Sequence, residues 1–200
     1  MRQALKHLRH SDPILAAIID RVGPCRIKYS EPTFAALVRS IVFQQLSGKA
    51  ASTIFGRVVQ AVGEITPERL AAQSPEQLRP LGLSGQKAKY ILDLAEKTRS
   101  GVVRFQDLPA LDDEAVIQHL TQVKGVGVWT AHMFLIFALR RPDILPTGDL
   151  GIRNATQRAY GLQEAPQPEK LENLARKWRP YASVASWYLW RSIDGDAAME

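Results

Sequence analysis

The feature that most constrains this chain is the spacing of its apolar residues, which recur at helical intervals and almost nowhere at strand intervals. Ile14, Leu15, Ile18, Ile19 and Val22 make one such stripe, and Phe34, Leu37, Val38, Ile41 and Val42 make another. Period-two alternation is scarce, so a sheet is excluded as the main architecture. The punctuation agrees: Asp12-Pro13 reads as an N-cap followed by proline at the first helical position, and Gly23-Pro24 closes the same segment. Further starts fall at Thr66-Pro67-Glu68, Ser74-Pro75-Glu76 and Asp112-Asp113-Glu114, and stops at Gly63, Gly101, Gly161 and Pro180. With short loops and no low-complexity linker, the reading is an all-α fold, a compact bundle of about ten helices in two lobes, forming a single domain over residues 1–200. The stretch from Trp129 to Leu139 is apolar around its circumference, the pattern of a central buried helix on which two lobes would pack.

Composition narrows the class. A chain of 200 residues buries a core without disulfide or metal staples, and its 46% hydrophobic and 23% charged fractions are those of an ordinary globular protein. No apolar run approaches the length of a membrane span, so no membrane association is expected. Cys25 is the sole cysteine, which excludes an internal disulfide, a four-cysteine zinc site and a four-cysteine iron–sulfur cluster. The basic stretch Met1 to Leu8 is not followed by an apolar h-region, so no secretory signal is read and a cytosolic protein is expected. A net charge of +6 suits either a polyanionic partner or a solvated basic surface. The four histidines, His7, His10, His119 and His132, lack a paired metal-ligand spacing, and no transition metal is implied.

Three stretches carry chemistry. In Leu120-Thr121-Gln122-Val123-Lys124-Gly125-Val126-Gly127-Val128-Trp129-Thr130-Ala131, helical segments flank a Gly-x-Gly turn. Two glycines there permit positive φ and close backbone approach, so that successive amides face a phosphate at the start of the next helix; the same pattern also serves a plain tight turn between packed helices. Downstream, in Leu145-Pro146-Thr147-Gly148-Asp149-Leu150, Asp149 reads as the N-cap of the following helix. It is either structural or an anion, favoured by the helix dipole, that stabilises positive charge. The third stretch, Trp178 to Arg191, is dense in aromatics that suit a core or a pocket.

Taken together, the Gly125-Val126-Gly127 hairpin, the Trp129-Thr130-Ala131 that follows it and the Leu-Pro-x-x-Asp at Leu145 to Asp149 resemble the helix-hairpin-helix superfamily of DNA glycosylases, and most nearly its alkylbase, 3-methyladenine DNA glycosylase II branch. The resemblance runs from about Asp12 to Arg191. It implies an active-site cleft between two helical lobes and makes Asp149 the catalytic aspartate. Trp129, Trp187, Tyr188 and Gln44 would line the base pocket. In Arg39 to Ala51, Gln45 and Leu46 would enter the minor groove and fill the gap left by an extruded nucleotide, although a glutamine here also suits an ordinary polar turn. Gly125, Val126, Gly127, Thr130, Lys49 and Lys87 would meet DNA phosphates, Lys87 being equally readable as a surface lysine in the first turn of a helix capped by Ser84.

Bifunctional relatives carry a Schiff-base lysine two residues after the second hairpin glycine; this chain has Trp129 there. Many relatives carry arginine where it has Ala182. The resemblance therefore implies a monofunctional enzyme of base excision repair that removes alkylated purines, 3-methyladenine and 7-methylguanine foremost, from duplex DNA and leaves an abasic site without lyase activity. It requires no cofactor, with a structural Na+ or K+ on the carbonyls of Thr121, Val123 and Val126 as an option. Alkylated double-stranded DNA would be the partner of a monomer placed at the nucleoid, or in the nucleus of a eukaryote. Two other readings stay open: a non-catalytic duplex-binding protein, and a glycosylase for deaminated, oxidised or mismatched bases.

Overall fold

The computed structural model describes residues 1–193 of the chain. Twelve α-helices follow one another among the described residues, with no strand: α1 Arg2–Ser11, α2 Pro13–Val22, α3 Phe34–Phe43, α4 Gly48–Val62, α5 Pro67–Ala71, α6 Pro75–Leu78, α7 Gly85–Arg99, α8 Asp113–Thr121, α9 Val128–Phe137, α10 Leu150–Tyr160, α11 Pro168–Ala175 and α12 Ala182–Ile193. Two of them, α5 and α6, are of only 5 and 4 residues. The caps read from the sequence form. Asp12, Ser47, Thr66, Ser74, Ser84, Asp112 and Asp149 each accept a first-turn backbone N–H, a contribution of about 1 kcal/mol apiece. Ser74 and Gln77 complete a reciprocal capping box.

The chain divides into two units. The first joins Met1–Tyr29 to the chain from Arg140 onward, and the second is the continuous segment Ser30–Leu139. In the first unit, α2, α10 and α12 pack around Leu15, Ile19, Ile152, Ala185, Tyr188 and Leu189, with Leu8, Leu171 and Trp178 closing the same cluster. Each fully buried leucine or isoleucine contributes about 1.5–3 kcal/mol. Asp12 is wholly buried beneath this cluster. Its carboxylate accepts the backbone N–H groups of Ile14 and Leu15, the Trp178 indole N–H at 2.7 Å and the Tyr160 hydroxyl, and lies 3.3 Å from the Lys177 ammonium. A buried charge is tolerated only with such partners. Burial opposes ionisation, but these bonds outweigh it and hold the Asp12 carboxyl below its ordinary range.

In the second unit, α3 and α5 pack on α7, and α8 on α9. Leu37, Val38, Ile41, Leu70, Ile91, Leu94, Leu120 and Leu135 are fully buried. Phe34, Phe105 and Phe134 meet edge to face at 6.1 and 6.0 Å between centroids. Among the described residues no helix is long and apolar enough to cross a membrane, and no group of three or more His, Cys, Asp or Glu is placed to hold a metal ion.

Candidate functional site

The turn between α8 and α9 is a tight hairpin. The Val126 N–H donates to the Val123 carbonyl at 3.0 Å, and Gly125 sits at φ +80°. A Cβ on Gly125 would lie 2.1 Å from the Tyr90 ring, so both the dihedral and the packing exclude any larger residue. Gly127 differs from the sequence expectation. Its φ of −93° and ψ of 176° are extended backbone open to any residue, and a Cβ there would meet nothing within 4 Å. Its smallness leaves open space at the N-terminus of α9, which carries no side-chain cap. Val128 and Trp129 on that first turn are 52% and 46% exposed, large apolar groups facing outward where the core has no use for them.

Two members of the expected phosphate-binding set are corrected in detail. The Val126 side chain is buried in the core and its N–H donates to the Val123 carbonyl, and Thr130 is buried with its hydroxyl oxygen accepting from Gln44, so neither side chain faces a phosphate. The hairpin is anchored from α7. Asp93 accepts the Lys124 backbone N–H at 2.8 Å and the Lys97 ammonium at 2.8 Å, and Lys97 also donates to the Gln122 carbonyl. Partial burial works against the Asp93 carboxylate, but these donors lower its pKa below the ordinary value.

The loop between α3 and α4 presents Gln45 and Leu46 to solvent, and Lys49 is exposed on the first turn beyond it. Gln45 is one of two non-glycine residues at positive φ among the described residues, at +58°. Such a backbone costs on the order of 1–3 kcal/mol and persists only where the surroundings enforce it. Here two side chains do so. Gln44 donates its amide to the Gly125 carbonyl at 3.0 Å and to the Thr130 hydroxyl at 3.3 Å, and Lys87 donates its ammonium to the carbonyls of Val42 at 2.6 Å and Gln44 at 2.5 Å. The expectation that Lys87 meets a DNA phosphate is therefore corrected: its charge is turned inward on the end of α3, where orphaned carbonyls attract a cation. Burial pushes its pKa below the ordinary lysine value.

In the first unit, Asp149 caps α10 and is 8% exposed. Its Oδ1 accepts the Ile152 backbone N–H at 2.8 Å and the Trp190 indole N–H at 2.9 Å. A Cβ on Gly151 would lie 3.1 Å from that oxygen and 3.2 Å from the Trp190 ring, so the glycine makes the room in which indole and carboxylate meet. Neither Trp190 nor Gly151 was singled out by the sequence; an aspartate followed two residues later by glycine, with a spare tryptophan in the last helix, is the signal that was there to read.

The expected pocket aromatics of α12 are corrected accordingly. Trp187 and Tyr188 pack edge to face at 4.9 Å and are buried in the core; the Tyr188 hydroxyl donates to the Gly23 carbonyl at 2.9 Å, and burial pushes its pKa up to about 12. Trp190, three residues beyond Trp187, is only partly buried at the edge of the same cluster, and its indole is left to meet Asp149.

Comparison with known proteins gives the family. Residues 38–180 match the HhH-GPD superfamily base excision DNA repair protein family. DNA-3-methyladenine glycosylase 1 of Schizosaccharomyces pombe is 33% identical over 182 residues, covering 89% of this chain and 80% of that protein. A crystal structure of a DNA-3-methyladenine glycosidase from Bacillus halodurans superposes with a TM-score of 0.82 at 40% identity, covering 94% of this chain and 87% of that one. The S. pombe 3-methyladenine DNA glycosylase in complex with abasic DNA superposes with a TM-score of 0.83 at 33% identity over 94% of this chain and 95% of that one. The chain belongs to the HhH-GPD superfamily of base excision DNA repair proteins.

Proposed function

We propose that this protein is a monofunctional DNA-3-methyladenine glycosylase of base excision repair, which hydrolyses the N-glycosidic bond of alkylated purines in duplex DNA and leaves an abasic site. The observation that carries the reading is Asp149: a nearly buried carboxylate whose Oδ1 takes the N–H of a helix N-terminus and of an indole, in a chain whose relatives bear that activity in their names. Breaking the glycosidic bond builds positive charge on the sugar. An anion already oriented by Ile152 and Trp190 stabilises that charge without having to reorganise, and it can orient or deprotonate the attacking water.

Purines alkylated at N3 or N7 are cationic and leave readily, so no strong general acid toward the base is required. The Trp129 ring offers a stacking surface on which a cationic base gains on the order of 0.5–2 kcal/mol over a neutral one. That small margin favours a broad range of alkylated purines. Trp129 also stands where bifunctional relatives carry an amine, so attack on the sugar by a lysine at that position is not available.

Extruding the nucleotide costs about a few kcal/mol, less for damaged pairs, and the exposed Gln45 and Leu46 are the groups to fill the gap. The hairpin main chain around Gly125 and Gly127, with the uncapped start of α9, grips one backbone phosphate without reading sequence, and the exposed Lys49 offers a further positive charge. The carbonyls of Thr121, Val123 and Val126 are neutral oxygen donors of the kind a Na+ or K+ takes. That of Val123 accepts the Val126 N–H and keeps a second lone pair, so the donor set fits such an ion. When bound, the ion would lend positive charge to the phosphate side of the hairpin. The protein acts as a monomer in this reading, on the DNA of the nucleoid or nucleus.

The test is release of free base from a duplex panel carrying 3-methyladenine, 7-methylguanine, and deaminated, oxidised and mismatched bases. Alkylated purines are expected to be released, and Asp149→Asn is expected to lower the rate by at least about 100-fold while duplex binding and strand integrity are kept. Binding without release of any base would instead identify a non-catalytic duplex-binding protein.

A further inference from the structure

We propose that Lys87 is a positioning residue for the Gln45 wedge, setting the loop from α7 rather than touching DNA. The proposal rests on the reading that Gln45 enters the duplex. Its ground is that this loop has little holding it from within. The turn bonds at its base, Gln44 N–H to the Ile41 carbonyl and Leu46 N–H to the Phe43 carbonyl, are both long at 3.4 Å, yet Gln45 keeps a positive φ of +58°. The Lys87 ammonium spans the irregular step. It donates to the Val42 carbonyl in the last turn of α3 and to the Gln44 carbonyl immediately before the strained residue, at 2.6 and 2.5 Å.

Lys87 is itself fixed, because its backbone N–H donates to the Ser84 cap of α7 at 3.1 Å. A cation in the first turn of a helix opposes that helix's own dipole, a local cost that its bonds to the end of α3 offset. The same helix sets the hairpin. Tyr90 lies beneath Gly125, and Asp93 takes the Lys124 N–H, so Lys87, Tyr90 and Asp93 follow one another at helical spacing along one face of α7. Gln44 then ties loop to hairpin through the Gly125 carbonyl. One rigid element thus holds two groups in register: the wedge that enters the base stack and the hairpin that grips the strand.

The experiment compares wild type, Lys87→Met, which keeps the stem and removes the charge and donors, and Lys87→Arg. Hydrogen exchange on the free protein reads the loop directly, and in Lys87→Met the Gln44 and Leu46 amides are expected to exchange about tenfold faster while the Lys124 amide, held by Asp93, is unchanged. Single-turnover release is then measured for one alkylated purine in two settings, fully paired in duplex and opposite an abasic site, where extrusion is easier. Lys87→Met is expected to lose about tenfold on the paired lesion and less than about twofold on the other, with Lys87→Arg recovering part of the loss. Unchanged exchange at Gln44 and Leu46, or an equal loss on both substrates, overturns the proposal. A wild-type protein that releases no base refutes the proposed function instead, and the exchange measurement still decides the role of Lys87 in holding the loop.

Discussion

Two aspartates of the first unit are built on one plan and end in different states. Asp12 caps α2 and Asp149 caps α10; each takes a first-turn backbone N–H, and each takes the indole N–H of a tryptophan from the C-terminal part of the chain, Trp178 in one case and Trp190 in the other. At Asp12 both oxygens are engaged, a tyrosine hydroxyl and a lysine ammonium complete the shell, and no surface is left to solvent. At Asp149 the capping N–H and the indole both converge on Oδ1, and the residue keeps a small exposed margin. The first arrangement fastens helices together. The second aims a carboxylate. What separates them is which groups the fold brings to each carboxylate and how deeply it is covered, which the local sequence around an N-cap does not encode.

The sharpest way to break this comparison is to neutralise each carboxylate in turn. Asp149→Asn, which keeps the cap, should abolish most base release with the unfolding midpoint nearly unchanged. Asp12→Asn should do the reverse. It weakens a buried shell and leaves the Lys177 charge without its partner, so stability should fall by about 2–4 kcal/mol in denaturant titration while each folded molecule keeps its activity. The pH dependence carries the same sign. The Asp12 carboxyl is held below its ordinary value, so its contribution is fully present above the unfolded value of about 3.9 and is lost as pH falls through the folded one. The acid limb of the stability curve should therefore be shallower in Asp12→Asn than in wild type.

A smaller effect sharpens the Asp149 side. Trp190→Phe keeps a ring but removes the indole donor, and base release should fall by about tenfold with duplex binding retained. An unchanged rate would mean that the indole does not aim the carboxylate. Smallest of all is Tyr188→Phe. Removing the hydroxyl from the Gly23 carbonyl should cost about 1 kcal/mol and leave base release as it was, as befits a core residue. Because burial raises the Tyr188 pKa to about 12, its contribution is complete below the unfolded value of about 10 and is lost as pH rises toward 12. The alkaline limb should accordingly flatten in Tyr188→Phe.

The legible part of this protein is the part written in near neighbours. Caps at Asp12, Ser47, Ser84 and Asp149, the stops at Gly23 and Gly161, and the turn at Gly125 all follow from which backbone groups a helix end leaves unpaired and which residues satisfy them or adopt positive φ, and the structure has each of them. Gly127 shows the same rule in reverse: a second glycine beside the first suggests a second unusual dihedral, whereas its backbone is ordinary and nothing packs where its Cβ would stand. Lys87 was misread because a lysine in the first turn of a helix looks solvent-facing until the end of α3 is brought against it, 45 residues away in sequence.

Helical periodicity and capping chemistry, which act over four residues or fewer, thus determined the all-α class, the element boundaries and the presence of an aspartate at the head of α10. Tertiary structure decided which tryptophan of α12 meets that aspartate, which lysine turns inward to hold a strained glutamine, and which aromatics become core. Those outcomes depend on the rotational phase of one helix against another, and a hydrogen bond across 41 residues, as between Trp190 and Asp149, forms only when packing sets that phase.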